Sequence, residues 1–188
     1  MSNEKGFTLV EVIAVVIIIA VIMLIAVPSY SEYVASSRKS AYISDVKAYV
    51  ESTKSGAYSK LYGSLPEKGE ILVVPYTSIK LEKNTNDKSP YAPYVKEKSY
   101  IVIVPRSTKG ANVSLVYDYY VIFIDQQNNG IDNIVSTKLD RKSVVTIANP
   151  ANVATIAELK NGSKKLIYDG ITYKFTSDRT NAILMSKV

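Results

Sequence analysis

Hydrophobic residues are concentrated near the N-terminal end of this 188-residue chain. Phe7–Val27 is a run of 21 residues in which only Thr8 and Glu11 are polar. A helix of this length spans about 31 Å, the thickness of the hydrocarbon core of a bilayer, so the run predicts a membrane-spanning helix. A secretory signal peptide is the alternative. It fits less well, because its apolar part is about 7–15 residues long and the chain continues as Val-Pro after Ala26 rather than as a small-x-small cleavage site.

The helical pattern continues beyond Pro28 in an amphipathic form. Polar and charged residues separate positions that recur every three or four residues, which is typical of a helix with one buried face. These positions are Tyr30, Tyr33, Val34, Ala41, Tyr42, Val46, Tyr49, Val50, Thr53 and Ala57. We therefore predict one helix from Phe7 to about Ser59. Pro28 has no amide hydrogen and clashes with the preceding turn, so a kink or local melting is expected there.

From Leu61 onward, short β-rich runs alternate with turns, which predicts a small antiparallel sheet. One face of such a sheet covers the apolar stripe of the long helix, so the predicted fold class is α+β, with a long N-terminal helix packed on a β-rich head. The predicted strands are Ile71–Val74 within a long loop (Leu65–Pro93), Tyr100–Val104, Asn112–Asp125, Ile131–Lys138, Lys142–Ile147, a Leu166–Phe175 hairpin that turns at Asp169-Gly170, and a last edge strand at Asn181–Met185; a short helix is predicted at Ala151–Lys160.

Charge and composition narrow the classes of function. The formal net charge is +6, and the chain has no His and no Cys. Spread-out lysines predict a solvated surface, with attraction to polyanions such as DNA or cell-wall polymers as the alternative. Without Cys, disulfides and thiol chemistry are excluded. No P-loop or Gly-rich dinucleotide turn is present either, so we expect no catalytic residue and no cofactor.

Two weaker patterns suggest ligand sites. Residues Asp125–Asp132 (Asp-Gln-Gln-Asn-Asn-Gly-Ile-Asp) resemble the opening of a calcium loop, but no Glu closes the loop, and Asn129-Gly130 is more simply a hairpin turn. We therefore expect no metal site. Tyr91 and Tyr94 are candidates to stack on sugars or nucleobases, although tyrosine suits half-buried core positions equally well, and we favour the core.

Glu11 is the one ionisable residue of the apolar run. A lone carboxylate in a membrane segment costs roughly 2.5–3.5 kcal/mol on insertion scales, so a partner is expected. Cleavage between Gly6 and Phe7 would convert a neutral amide nitrogen into a positively charged amine one helical turn from Glu11.

The segment Lys5-Gly-Phe-Thr-Leu-Val-Glu11, placed after a very short leader and opening the apolar helix, resembles the class III signal of type IV pilins and pseudopilins. The resemblance implies that a membrane aspartyl peptidase, the prepilin peptidase, cuts between Gly6 and Phe7 and methylates the new amino group of Phe7. It also implies that Glu11 pairs with the Phe7 amine of a neighbouring subunit during assembly, and that Pro28 ends the apolar stretch. Pairing within one chain is the alternative.

The resemblance divides the chain into a leader (1–6), a transmembrane and filament-core segment (7–28), the amphipathic half of the same helix (29–62) and a globular head (63–188). It implies a structural subunit of a type IV pilus-like filament and not an enzyme: a single-pass cytoplasmic membrane protein before assembly and an extracellular cell-surface filament afterwards. Its expected partners are copies of itself, the prepilin peptidase and the pilus assembly machinery, with nucleic acid as a weaker expectation.

Three alternatives stay open. The first is a pseudopilin of a type II secretion or competence system, the second a minor pilin that acts as an adhesin or DNA-binding module, and the third a membrane-anchored sensor or enzyme. Well-known Gram-negative pilins pin a C-terminal loop with two cysteines, which this chain lacks. Its Lys-, Asn- and Tyr-rich composition favours a member of Gram-positive type.

Overall fold

The computed structural model describes residues 6–81, 88–107 and 115–188, without the side chains of Pro28 and Ser107. The chain forms two compact units, residues 1–38 and residues 39–188. One helix, α1 (Leu9–Tyr58), begins in the first unit and ends in the second. The predicted long helix is thus present, although it starts two residues after Phe7.

The first unit contains the apolar part of α1. Its large apolar side chains between Leu9 and Val27 are 45–77% exposed, because nothing within this unit covers them. The helix continues through Pro28 without interruption, so the local melting considered for this position does not occur. A proline removes only one amide hydrogen from the helix, and the Ser29 hydroxyl adds a hydrogen bond of 3.2 Å to the Ile25 carbonyl in the same turn.

The second unit is built on one antiparallel sheet. Within the described residues the sheet has eight strands in the order β5-β4-β3-β2-β1-β8-β7-β6. Their bounds are β1 (Glu70–Pro75), β2 (Tyr100–Ser107), β3 (Leu115–Ile124), β4 (Asn129–Val135), β5 (Val145–Thr146), β6 (Leu166–Tyr168), β7 (Ile171–Arg179) and β8 (Ala182–Lys187). A short helix, α2 (Ile156–Lys160), and four 3₁₀ turns, Tyr76–Ser78, Lys96–Lys98, Ser136–Lys138 and Arg141–Ser143, complete the unit.

The C-terminal part of α1 packs on one face of this sheet, which confirms the predicted α+β class. Tyr42, Val46 and Tyr49 recur at the expected spacing and are at most 3% exposed. They share a core with Leu72 and Val74 of β1 and with neighbouring residues of β2 and β3. The amphipathic half of the predicted helix therefore owes its stability to tertiary packing more than to intrinsic propensity.

The opposite face of the sheet is also covered, which the sequence analysis did not predict. Ile71 and Val73 alternate with the residues that face α1 and belong to a second core. Leu159 of α2 and Val153 of the preceding loop lie in that core. The continuous apolar run of β1 is the sequence signal for this arrangement, because a strand buried on both faces needs apolar residues at successive positions.

Several predicted elements differ in detail. The last strand is an inner one, because β8 lies between β1 and β7; it was wrongly placed at the edge. The strand predicted at Lys142–Ile147 is shorter than expected: only Val145–Thr146 form a strand, and Lys142 and Ser143 belong to the preceding 3₁₀ turn. The Asp169-Gly170 hairpin is confirmed, with both residues at positive φ (51° and 76°), the conformation that a tight two-residue turn requires. Residues 112–114 of the predicted third strand lie outside the described residues.

Candidate processing and assembly site

Three residues precede α1 in the described part of the chain, and the predicted cleavage bond joins the first two. Gly6, Phe7 and Thr8 are not helical, and Phe7 is 87% exposed. Among the described residues, no atom outside the immediate chain neighbours approaches within 4 Å of where a side chain at Gly6 would begin. The Gly6–Phe7 bond therefore lies in an open, irregular segment, where a protease can bind the backbone. Leader residues 1–5 lie outside the described residues.

Thr8 and Glu11 form a reciprocal cap at the start of α1. The Thr8 hydroxyl accepts a hydrogen bond of 3.3 Å from the Glu11 amide. In return, one Glu11 carboxylate oxygen accepts bonds of 2.8 Å from both the amide and the hydroxyl of Thr8. This is a capping box, which satisfies amide groups that the first turn of a helix leaves without partners. A negative carboxylate at this position also interacts favourably with the helix dipole.

The cap gives Glu11 a partner that the sequence analysis missed. Both interpretations of Glu11 named the Phe7 amine, within the chain or in a neighbour, but that nitrogen is a neutral amide until the leader is removed. In the uncut chain Thr8 occupies the carboxylate instead. The signal was present, because Thr8 followed by an acid three residues later and then an apolar run is the sequence signature of a capping box. Pairing of Glu11 with Phe7 stays a prediction.

The helix that follows exposes an unusually apolar surface. An 18-residue window of α1 has a mean hydropathy of 3.3, and none of it is buried within the protein. The residues expected to pack in a filament core are 50–76% exposed, namely Val10, Ile13, Val16, Ile17 and Leu24. By length and composition this helix is able to cross a membrane, two criteria that a signal sequence also meets. So large an apolar surface has to contact lipid or other protein.

Residues 1–27 match the family model of the prokaryotic N-terminal methylation motif. This motif is the class III signal of type IV pilin-like proteins, and it implies processing by prepilin peptidase and assembly into pilus-like polymers. With the exposed apolar helix, it fits a membrane-anchored protein. The match covers 27 of 188 residues, so it describes the N-terminal segment and not the head. No curated protein and no solved structure matches the chain.

The acidic loop after β3 is a structural turn. Asp125 is fully buried, and one carboxylate oxygen accepts bonds of 2.9 Å from the amides of both Gln127 and Asn129. The other oxygen accepts a 2.7 Å bond from the Ser89 hydroxyl. The turn predicted at Asn129-Gly130 was wrongly placed, because these two residues begin β4. The turn lies just before them and ends at Asn128, which adopts a φ of 62°. The Asp125 oxygens proposed for calcium thus have partners within the protein.

The tyrosines that were candidates for stacking contribute to the core. Tyr94 is 3% exposed, and its ring lies 5.7 Å from that of Tyr42 and 5.4 Å from that of Phe123 between ring centroids. Burial, and to a lesser degree Tyr42 and Asp45, raises the pKa of Tyr94. Tyr91 is half-buried against Tyr42. Tyr94 therefore has no open face for a ligand, and Tyr91 packs against the same core, which agrees with the favoured prediction.

Proposed function

We propose that this chain is a structural subunit of a type IV pilus-like filament, of the kind found in Gram-positive bacteria, and that it has no catalytic role. Prepilin peptidase would remove residues 1–6 and methylate the new amino group of Phe7. The apolar part of α1 would hold the subunit in the cytoplasmic membrane and would then pack against the same segment of other subunits. The head would face outward along the filament.

The observation that carries this proposal is the combination of a methylation motif with a helix whose apolar side chains are not covered by any other described residue. Val10, Ile13 and Ile17 are at least 50% exposed in a segment of mean hydropathy 3.3. A membrane covers these side chains before assembly, and neighbouring helices cover them afterwards. Hydrophobic packing supplies most of the affinity between subunits.

Glu11 would fix the register of this packing. An uncompensated buried charge is strongly disfavoured, so a subunit is accepted only where the positive Phe7 amine of a neighbour meets the carboxylate. The capping box adds a condition to this exchange. Thr8 satisfies the carboxylate in the single chain, so the neighbour's amine has to replace or supplement the Thr8 hydrogen bonds.

Substitution of Glu11 tests the proposal in cells that assemble the filament. We expect Glu11→Ala to leave leader removal largely intact, because the open Gly6–Phe7 segment precedes the helix, and to reduce the amount of filament. Glu11→Asp is the matched control, since it keeps the charge on a shorter side chain. Wild-type amounts of filament from Glu11→Ala would contradict the pairing of Glu11 with the Phe7 amine of a neighbour. A Glu11→Ala chain that keeps residues 1–6 would contradict the expectation that leader removal does not require Glu11.

A pseudopilin of a type II secretion or competence system is the alternative within the same class, and it differs in the length of the fibre. Electron microscopy with an antibody against the head distinguishes the two. Long surface fibres labelled along their length support a pilin, and short fibres seen only on overexpression support a pseudopilin.

A minor pilin that binds nucleic acid is the other alternative. Salt-sensitive DNA binding by the head, lost when its lysines are reversed in charge, would support it.

A further inference from the structure

A groove runs along the exposed side of α1 in the second unit, between the helix and the 3₁₀ turn Ser136–Lys138. One part has a volume of about 380 Å³ and is lined by Lys54, Tyr58, residues 115–119, Ser136 and Thr137. A second part of about 270 Å³ shares Lys54, Ser136 and Thr137 and extends to Lys47. From Lys47 to Tyr58 the groove follows about 16 Å of helix. It is therefore long enough for an extended chain molecule.

Two tyrosines line one end of this groove. Tyr58 is 75% exposed, although it is the last residue of a helix whose other tyrosines in this unit are buried. Tyr117 of β3 is half-buried on the opposite wall. Tyr58 and Tyr117 line the same part of the groove. Partial burial, then Glu67 and Tyr58, raise the pKa of Tyr117. A tyrosine with an exposed apolar face and a polar tip is suited to a ligand that is itself amphipathic.

The end of α1 holds Tyr58 in place. The Leu61 amide donates to the Gly56 carbonyl over 2.9 Å, and the Lys60 amide donates to the Ala57 carbonyl over 3.2 Å. With Lys60 at a φ of 59°, these two bonds form a Schellman motif, which ends the helix at a defined residue. The Tyr58 backbone is thus fixed although its ring is exposed.

The groove is neutral overall, because its charges pair. Lys54 lies 2.7 Å from Glu51, and its ammonium lies 5.7 Å from the centre of the Tyr119 ring. On the other wall, Arg106 lies 3.5 Å from Asp118. The charged residues that line the two parts of the groove are Lys47, Lys54, Glu51 and Asp118, and their charges sum to zero. A neutral groove has no electrostatic preference for a polyanion, although the second unit as a whole carries 21 basic and 14 acidic residues, a net charge of +7.

From this geometry we infer that the groove between Lys47 and Tyr58 binds an uncharged oligosaccharide. The Tyr58 and Tyr117 rings stack on the apolar C–H faces of the sugar rings. Sugar hydroxyls form hydrogen bonds with the hydroxyls of Ser136 and Thr137. They also bond to Lys54 and Asp118, each of which has its own partner of opposite charge. Concave sites of this kind combine apolar or aromatic contact area with a few fixed polar groups. The inference depends on the second unit alone and not on polymerisation.

Oligosaccharide binding to the full-length protein tests the inference directly. The protein is kept in phosphocholine-detergent micelles, because a detergent with a sugar head group would compete for the groove. Cellotetraose, laminaritetraose and chitotetraose are titrated by saturation-transfer NMR and calorimetry, with dextran sulfate as a polyanion for comparison. We expect at least one neutral tetrasaccharide to bind, and Tyr58→Ala to weaken that binding about tenfold.

Matched variants separate the groove from general effects of tyrosine. Tyr58→Phe keeps the ring and is expected to retain most of the binding. Tyr33→Ala removes a comparably exposed ring outside the groove and is expected to change nothing. The inference is overturned if no tetrasaccharide binds, if only dextran sulfate binds, or if Tyr58→Ala binds as the parent does. It is also overturned if Tyr58→Ala reduces filament yield while no sugar binds, because the groove then takes a neighbouring subunit.

Discussion

Gly56→Ala is a sharp test of the packing at the end of α1, because the structure reverses the usual sign of this substitution. A Cβ at position 56 would lie 2.7 Å from Cε2 and 2.8 Å from both Cζ and Oη of Tyr62. The Tyr62 ring is 1% exposed, so it cannot move aside without leaving the core. The substitution therefore overpacks the contact that joins the last turn of the helix to the following segment.

The magnitude follows from two opposing effects. In an ordinary helix interior, Gly→Ala stabilises a protein by about 1 kcal/mol, because alanine restricts the unfolded chain. Overpacking a buried contact costs about 1–3 kcal/mol, and here the displaced ring also loses burial. We expect a net loss of about 1–2 kcal/mol in the free energy of unfolding, or about 2–8 °C in melting temperature. Ser55→Ala, at the exposed neighbouring position, is expected to change stability by about 0.5 kcal/mol or less.

Urea unfolding of the full-length protein in micelles, followed by the near-ultraviolet circular dichroism of its tyrosines, measures these differences. A second substitution isolates the cause. Tyr62→Leu removes the ring that the added methyl group at position 56 would meet. The double variant Gly56→Ala/Tyr62→Leu should therefore lose about 1 kcal/mol less stability than the sum of the losses of the two single variants. An unfolding midpoint for Gly56→Ala above that of the parent would refute the reasoning.

Three further predictions concern the cap, the acidic turn and the tyrosine core. Thr8→Val should weaken the start of α1 by about 1 kcal/mol and speed amide exchange in its first turn; unchanged exchange would contradict the cap. Asp125→Ala leaves its three donors without a partner and should lower the free energy of unfolding in urea by roughly 2–4 kcal/mol. Asp140 is the control, because its exposed carboxylate also accepts bonds from an amide and a hydroxyl, both of Ser143, and a loss for Asp125→Ala no larger than that of Asp140→Ala would argue against this role. Burial raises the pKa of Tyr119 to about 12, above its unfolded value of about 10. The stability that Tyr119 contributes is therefore complete below pH 10 and is lost as the pH rises through 12. A midpoint of urea unfolding that stays constant from pH 10 to pH 12 would contradict this pH dependence.

The parts of the fold that local sequence determines were predictable. The 3.6-residue periodicity of Tyr42, Val46 and Tyr49 indicated the buried face of α1, and the Asp169-Gly170 pair indicated its hairpin. Strand order was not predictable, because the position of β8 between β1 and β7 depends on pairing between segments far apart in the chain. The second core was missed although the continuous apolar run of β1 indicated burial on both faces, because its cover comes from the irregular region around Val153 and from α2, which are far from β1 in the chain.

The candidate sites divide in a similar way. Gly6, Phe7 and Glu11 follow from residue types at fixed spacing within a short segment, and all three lie within residues 1–27, which the family model matches. The cap formed by Thr8 and Glu11 was predictable from sequence, but it was overlooked because the same residues belong to the stronger pattern of the class III signal. The groove was not predictable from the sequence, because Tyr58 and Tyr117 come together only when α1 packs beside β3.

The proposed assembly depends on removal of the leader, which is checked at the N-terminus of the chain within isolated filaments. Filaments are sheared from cells, purified and digested, and the N-terminal peptide is identified by mass spectrometry. We expect a peptide that begins at Phe7 and carries one methyl group on its amino nitrogen. Filaments built from chains that still begin with Met1–Gly6 would contradict it, because the Phe7 nitrogen would then carry no charge to pair with Glu11.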